Sequence, residues 1–144
     1  MTREGDALAL RLFESMGTTL RETLDGLGEH DLDRPCSHGC AMGGGVRRLL
    51  VHNAEHDRQH AAAISNARIA ARAMQESQRA MLLRDWLRER VELIGQLLGA
   101  GADVLDLTAP GDEWSVREHV EHVLHWERDS MDVALAEVRE AAAR

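Results

Sequence analysis

Lysine and tyrosine are absent from the 144 residues, phenylalanine occurs once, and proline and cysteine occur twice each. Each shortage excludes something. Phe13, Trp86, Trp114 and Trp126 are the only aromatic residues, too few for a base-stacking platform. All 17 cationic side chains are arginine, set against 25 acids for a net charge of −8. With no basic cluster there is no counterion-releasing surface, so nucleic acid is not an expected partner. Cys36 and Cys40 lie in one short segment and imply no disulfide framework. No apolar run approaches the roughly 20 residues that a bilayer crossing needs, so no membrane association is expected. The start, Met1 to Asp6, is polar and lacks the apolar stretch of a signal peptide. A cytoplasmic location is therefore the expectation.

What is present points to helices. Apolar residues make up 44% and charged residues 29%, the balance of a globular chain, and the length suits a single domain over 1–144. Between Pro35 and Pro110 and outside them, apolar residues recur at helical spacing. The first helix is expected from about Asp6 to Leu27, with Leu8, Leu12, Met16, Leu20 and Leu24 in one stripe. A glycine-rich loop, Glu29 to Gly45, follows. The second helix should run from Gly45 to about Ala73, and the third from Gln78 to Leu98. The fourth opens at Ser115, an N-cap three residues before Glu118, and runs to about Ala141. No alternating β-branched run appears. Four long amphipathic helices make an all-α four-helix bundle the expected architecture. Met16, Met42, Met74, Met81 and Met131 read as core fillers.

The two halves echo each other. Each has a long helix, then an Asp-Leu pair (Asp31-Leu32, Asp106-Leu107) and a proline. Each then opens a helix with Val-Arg (Val46-Arg47, Val116-Arg117) and places histidines soon after.

Six of the eight histidines fall on two helices. His52, His56 and His60 are four apart, and residues at that spacing stack on one helical face, close enough for two imidazoles to share a metal. An advance of about 100° per residue groups His56 and His60 with Leu49, Leu50 and Ile64, with His52 at the edge. Asn53 and Asp57 share that sector, which should face the core. His119, His122 and His125 are three apart and fan around the fourth helix instead. His119 lies nearest its apolar stripe, His122 next, and His125 points away, so spacing leaves the third donor open between His119 and His122. The segment Pro35 to Gly45 brings Cys36, His38 and Cys40 into one loop. Thiolate and imidazole both suit zinc, but a fourth ligand is missing, and a plain loop is the simpler reading. The run Gly43-Gly44-Gly45 matches no complete phosphate motif.

The segment W-S-V-R-E-H-V-E-H-V-L-H-W-E, Trp114 to Glu127, resembles the signature of the DinB/YfiT-like superfamily, four-helix bundles with a three-histidine metal site. The segment L-L-V-H-N-A-E-H-D-R-Q-H-A-A-A-I, Leu49 to Ile64, is similar to the family's H-x-x-x-H motif. In familiar members the tryptophan segment comes first; here the order is reversed. The resemblance implies His56, His60 and His122 as the metal ligands, the ion being zinc or nickel. Three imidazoles leave an open coordination position, the mark of a catalytic site. The implied function is a divalent-metal-dependent enzyme, a thiol-dependent transferase or a hydrolase. A small-molecule substrate follows, with a low-molecular-weight thiol for the thiol-dependent kind. Asp57 and Glu127 are the candidate base or supporting carboxylates. The alternatives are a non-catalytic metal or small-molecule binder of the stress-response type, and a bundle whose histidines bind nothing. A homodimer is expected, as family members often pair and two-fold dimers are the commonest oligomers.

Overall fold

The computed structural model describes residues 4–73 and 77–143. Met74, one of the expected core methionines, lies outside them. The described residues are helical throughout, apart from loops and one isolated antiparallel bridge between Thr108 and Ser115. The long helices are α1 (Glu4–Gly26), α2 (Gly45–Ala70), α3 (Gln78–Leu97) and α5 (Val116–Ala142), and α4 (Ala102–Leu105) is a single turn. Every expected helix is present, with ends shifted by at most three residues. The chain divides into two compact units, 1–75 and 76–144, which is where the sequence echo divides it.

In the first unit, acidic residues Glu4 and Asp6 sit in the first turn of α1, where they complement the helix dipole. Beyond Gly26, the loop that sequence reasoning left irregular contains two 3-10 turns, Glu29–Asp31 and Gly39–Ala41. Asp31 organises the first: Gly28 donates its N–H to Oδ2 (2.9 Å), and Arg34 pairs with Oδ1 (2.6 Å). The loop then closes on the start of α2. Val46 donates its N–H to the Arg34 carbonyl (3.1 Å) and Arg47 to the Leu32 carbonyl (2.8 Å). That approach requires glycine at 45. Its φ is +74°, and a Cβ there would lie 2.6 Å from the Arg34 oxygen.

The second unit repeats this plan. Ser77 caps α3 by accepting the Ala80 N–H (3.2 Å). Gly101 precedes α4 as Gly28 precedes the first 3-10 turn. Val116 donates to the Leu107 carbonyl (3.0 Å), so the same Asp-Leu pair receives the opening of the long helix in both units. The arginine of each Val-Arg pair turns back to a loop aspartate, Arg47 to Asp33 (3.1 Å) and Arg117 to Asp106 (3.0 Å). The expected capping box is formed: Ser115 Oγ accepts the Glu118 N–H (3.3 Å) while Glu118 Oε2 accepts the Ser115 N–H (2.7 Å).

The apolar stripes differ from expectation. Ala41 is the one buried hydrophobic residue among those described, while Leu12, Met16, Leu24, Ile64 and Val138 are all at least 60% exposed. Within the units α2 packs on the Gly39–Ala41 turn and α4 on α5, which leaves the stripes of the long helices largely uncovered there, so neither unit closes a core by itself.

Candidate metal centre

On α2 the three histidines form a column. The ring centroids of His52 and His56 are 5.5 Å apart, and those of His56 and His60 are 4.3 Å apart. Nε2 of His56 and Nε2 of His60 lie 3.1 Å apart, one ring donating to the other. Two nitrogens bound to one ion at about 2.0–2.1 Å each lie roughly 3–3.4 Å apart at the usual bond angles. The pair is therefore spaced as two ligands of one ion are. Both rings are exposed instead of facing a core, because α2 packs at its N-terminal end against the Gly39–Ala41 turn and is open farther along. Asp57 is also exposed, about 100° around the helix from His56.

On α5 the histidines are distinguished by their partners. His119 Nε2 is 3.0 Å from Asp112 Oδ2, so its outer nitrogen is engaged by the preceding loop. Oδ1 of Asp112 accepts the N–H of Glu113 (2.7 Å) and of Trp114 (3.2 Å). The Trp114 and Glu113 amides, joined by His119, hold the Asp112 carboxyl below its usual range. Trp114 in turn lies against both His119 (5.4 Å between centroids) and His122 (4.6 Å). His122 also stacks on Trp126 at 6.0 Å, so it sits between two indoles. His125 pairs with Asp129 one turn on (3.2 Å) and is largely exposed, pointing away from the other two as its register predicts.

Glu127 is half-buried in the second unit. Its carboxylate accepts the Trp86 indole N–H (3.2 Å) and pairs closely with Arg90, tying α5 to α3. Cys36 and Cys40 are half-buried free thiols, and His38 Nδ1 accepts the Cys40 N–H (3.3 Å) as an N-cap. Among the described residues, no group of three or more His, Cys, Asp or Glu side chains is arranged to hold an ion. The structure thus brings His56 and His60 together on α2, and sets His122 between tryptophans on α5 of the second unit. Asp112 was missed by sequence reasoning. Its signal was an aspartate two residues before the tryptophan, a spacing that lets the side chain accept backbone N–H groups.

Compared with protein-family models, curated proteins and solved structures, the chain matches none of them.

Proposed function

We propose that this chain is a divalent-metal-dependent protein of the DinB/YfiT-like four-helix-bundle type, with His56, His60 and His122 as ligands. The 3.1 Å separation of the His56 and His60 Nε2 atoms carries the reading, since it is already the span of a chelate. Of the two candidates on α5, His122 is favoured. His119 has its outer nitrogen on Asp112 and so has only Nδ1 left for an ion, whereas the contacts of His122 are with indole faces. Neutral imidazole is a ligand for zinc and nickel alike. Bound with a position open, such an ion supplies Lewis acidity toward a water or a low-molecular-weight thiol. The residues of the chain contribute the rest: the imidazoles hold the ion, and Trp114 and Trp126 flank the His122 ring. The reaction class is thiol-dependent transfer or hydrolysis of a small molecule.

A second reading, a non-catalytic metal binder, is favoured by one observation. Glu127, the carboxylate on α5 that would serve as base, is committed to Arg90 and Trp86. Metal content of tag-free protein tests the ligand set. His56→Ala, His60→Ala and His122→Ala should lose the ion, while His52→Ala and His125→Ala should keep it. Full occupancy in His122→Ala with loss in His119→Ala would transfer the third role to His119.

A further inference from the structure

Asp112 and His119 form a carboxylate–imidazole pair built from α5 and the loop before it. Oδ1 of Asp112 accepts the Glu113 and Trp114 amides, which fixes the carboxylate with Oδ2 3.0 Å from His119 Nε2. The Trp114 and Glu113 amides, with His119, hold this carboxyl below its usual range, so it is ionised at neutral pH. An ionised carboxylate can only accept, so Nε2 carries the ring proton and Nδ1 of the neutral ring keeps a lone pair. A bare ring nitrogen opposite an N–H held by a carboxylate is the arrangement of an oriented general base. The carboxylate sets the tautomer and stabilises the imidazolium formed when the base takes a proton.

The fold does not call for this pair. Counting from each Val-Arg, Asp112, Trp114 and His119 match Met42, Gly44 and Leu49. The first unit nevertheless opens its long helix on the same Asp-Leu carbonyl. What lies beside the pair is His122. Residues three apart on a helix have Cβ atoms about 5–6 Å apart, and the rings of His119 and His122 lie against one indole, Trp114, at 5.4 and 4.6 Å. Glu127, the carboxylate of α5 considered as base, is taken by Arg90 and Trp86.

We propose that His119, positioned by Asp112, is the general base of the site to which His122 belongs. The inference rests on the reading of His122 as a ligand and supplies the proton acceptor that reading lacks. Nδ1 of His119 takes the proton of a water or thiol held beside His122. The O–H or S–H bond breaks, an N–H bond forms, and the electron pair left on oxygen or sulfur attacks the substrate. As the bond to the leaving group breaks with its electron pair, the proton on Nδ1 passes to that group. Asp112 stays ionised throughout.

Two measurements on the tag-free full chain test this. In the metal-free protein at about pH 9, above the ordinary imidazole value, nitrogen NMR should show the His119 ring protonated at Nε2 and bare at Nδ1. Asp112→Asn should shift the ring toward the other tautomer, since an amide is able to donate to Nε2. An Nδ1–H ring in the wild type overturns the proposal. In the zinc-loaded protein, with p-nitrophenyl acetate as probe, His119→Ala should keep its zinc and its helicity while the zinc-dependent rate falls about 100-fold or more. A dimethylpyridine too hindered to ligate zinc should restore part of that rate, a response that loss of a structural latch would not give. A lost rate that no added base restores overturns the proposal, and so does loss of zinc from His119→Ala. A wild-type rate in His119→Ala, with zinc binding still dependent on His122, overturns the base and leaves the ligand set. Zinc binding indifferent to His122→Ala, with Nδ1 bare and a rate that needs His119, removes the ligand reading and keeps the base.

Discussion

Side chains of one type, on one helix, take different roles here because of what each ring nitrogen meets. His125 faces Asp129 and solvent, His119 faces Asp112, and His122 faces indoles. Asp112 is the organising residue, fixing the backbone at Trp114 and the ring of His119 with one carboxylate. Its pKa is lowered by folding, so the stabilisation it provides is fully present above the ordinary aspartate value. That stabilisation disappears as pH falls through the lower, folded value. Glu118 is lowered in the same sense by the Ser115 amide and hydroxyl. The indole environment of Trp114 should therefore hold steady on acidification to about pH 4 and change below it. Tryptophan fluorescence of a Trp86→Phe, Trp126→Phe background, in which Trp114 is the one remaining indole, followed against pH, measures this. Asp112→Asn should remove the low-pH transition while leaving the helices intact; a transition near neutrality that survives the substitution would assign it to another group.

At the scale of the element, the start of each long helix is the best-determined feature. The Val-Arg pair, the Asp-Leu carbonyl that receives the helix opening, and the arginine–aspartate pair recur in both units. Those arginine–aspartate pairs are exposed and contribute at most about 1 kcal/mol each. The caps matter more. Ser115→Ala should cost about 1 kcal/mol by loss of the Glu118 N–H partner. Gly45→Ala should cost more, since it combines a positive φ with a Cβ 2.6 Å from a carbonyl oxygen. Thermal denaturation of both variants checks the order; a Gly45→Ala protein as stable as wild type would mean the loop closure contributes nothing to folding.

Much of this level was legible in the sequence because it is local. Apolar spacing marked the four helices, and Ser115 with Glu118 marked a cap by their separation alone. The 3-10 turns and α4 escaped because a single helical turn leaves no periodic signal. The inward direction assigned to His56 and His60 depended on which elements cover α2, and periodicity can locate a stripe without naming its partner. The stacking of that pair was legible, as helix geometry sets the spacing of residues four apart, whereas the distance between the ring nitrogens depends on their side-chain rotamers. The partner of Glu127 was not, because Trp86 and Arg90 lie some forty residues away in sequence.

For the whole molecule, the sequence echo and the division into units coincide, with one helix–loop–helix plan written twice. No helix among the described residues is long and apolar enough to cross a membrane. The duplication is unequal where it concerns chemistry. Counting from each Val-Arg, His52 matches His122 in register, whereas His56 and His60 match Trp126 and Ser130. One unit thus carries the closely spaced histidine pair, and the other carries a histidine in contact with two tryptophans. The central claim is that imidazole, and not the Cys36 and Cys40 thiols, holds the metal. X-ray absorption of the zinc-loaded chain reads this directly. The account predicts a shell of nitrogen and oxygen with the outer scattering of imidazole rings. A sulfur shell at about 2.3 Å would contradict it and move the metal to the cysteine loop.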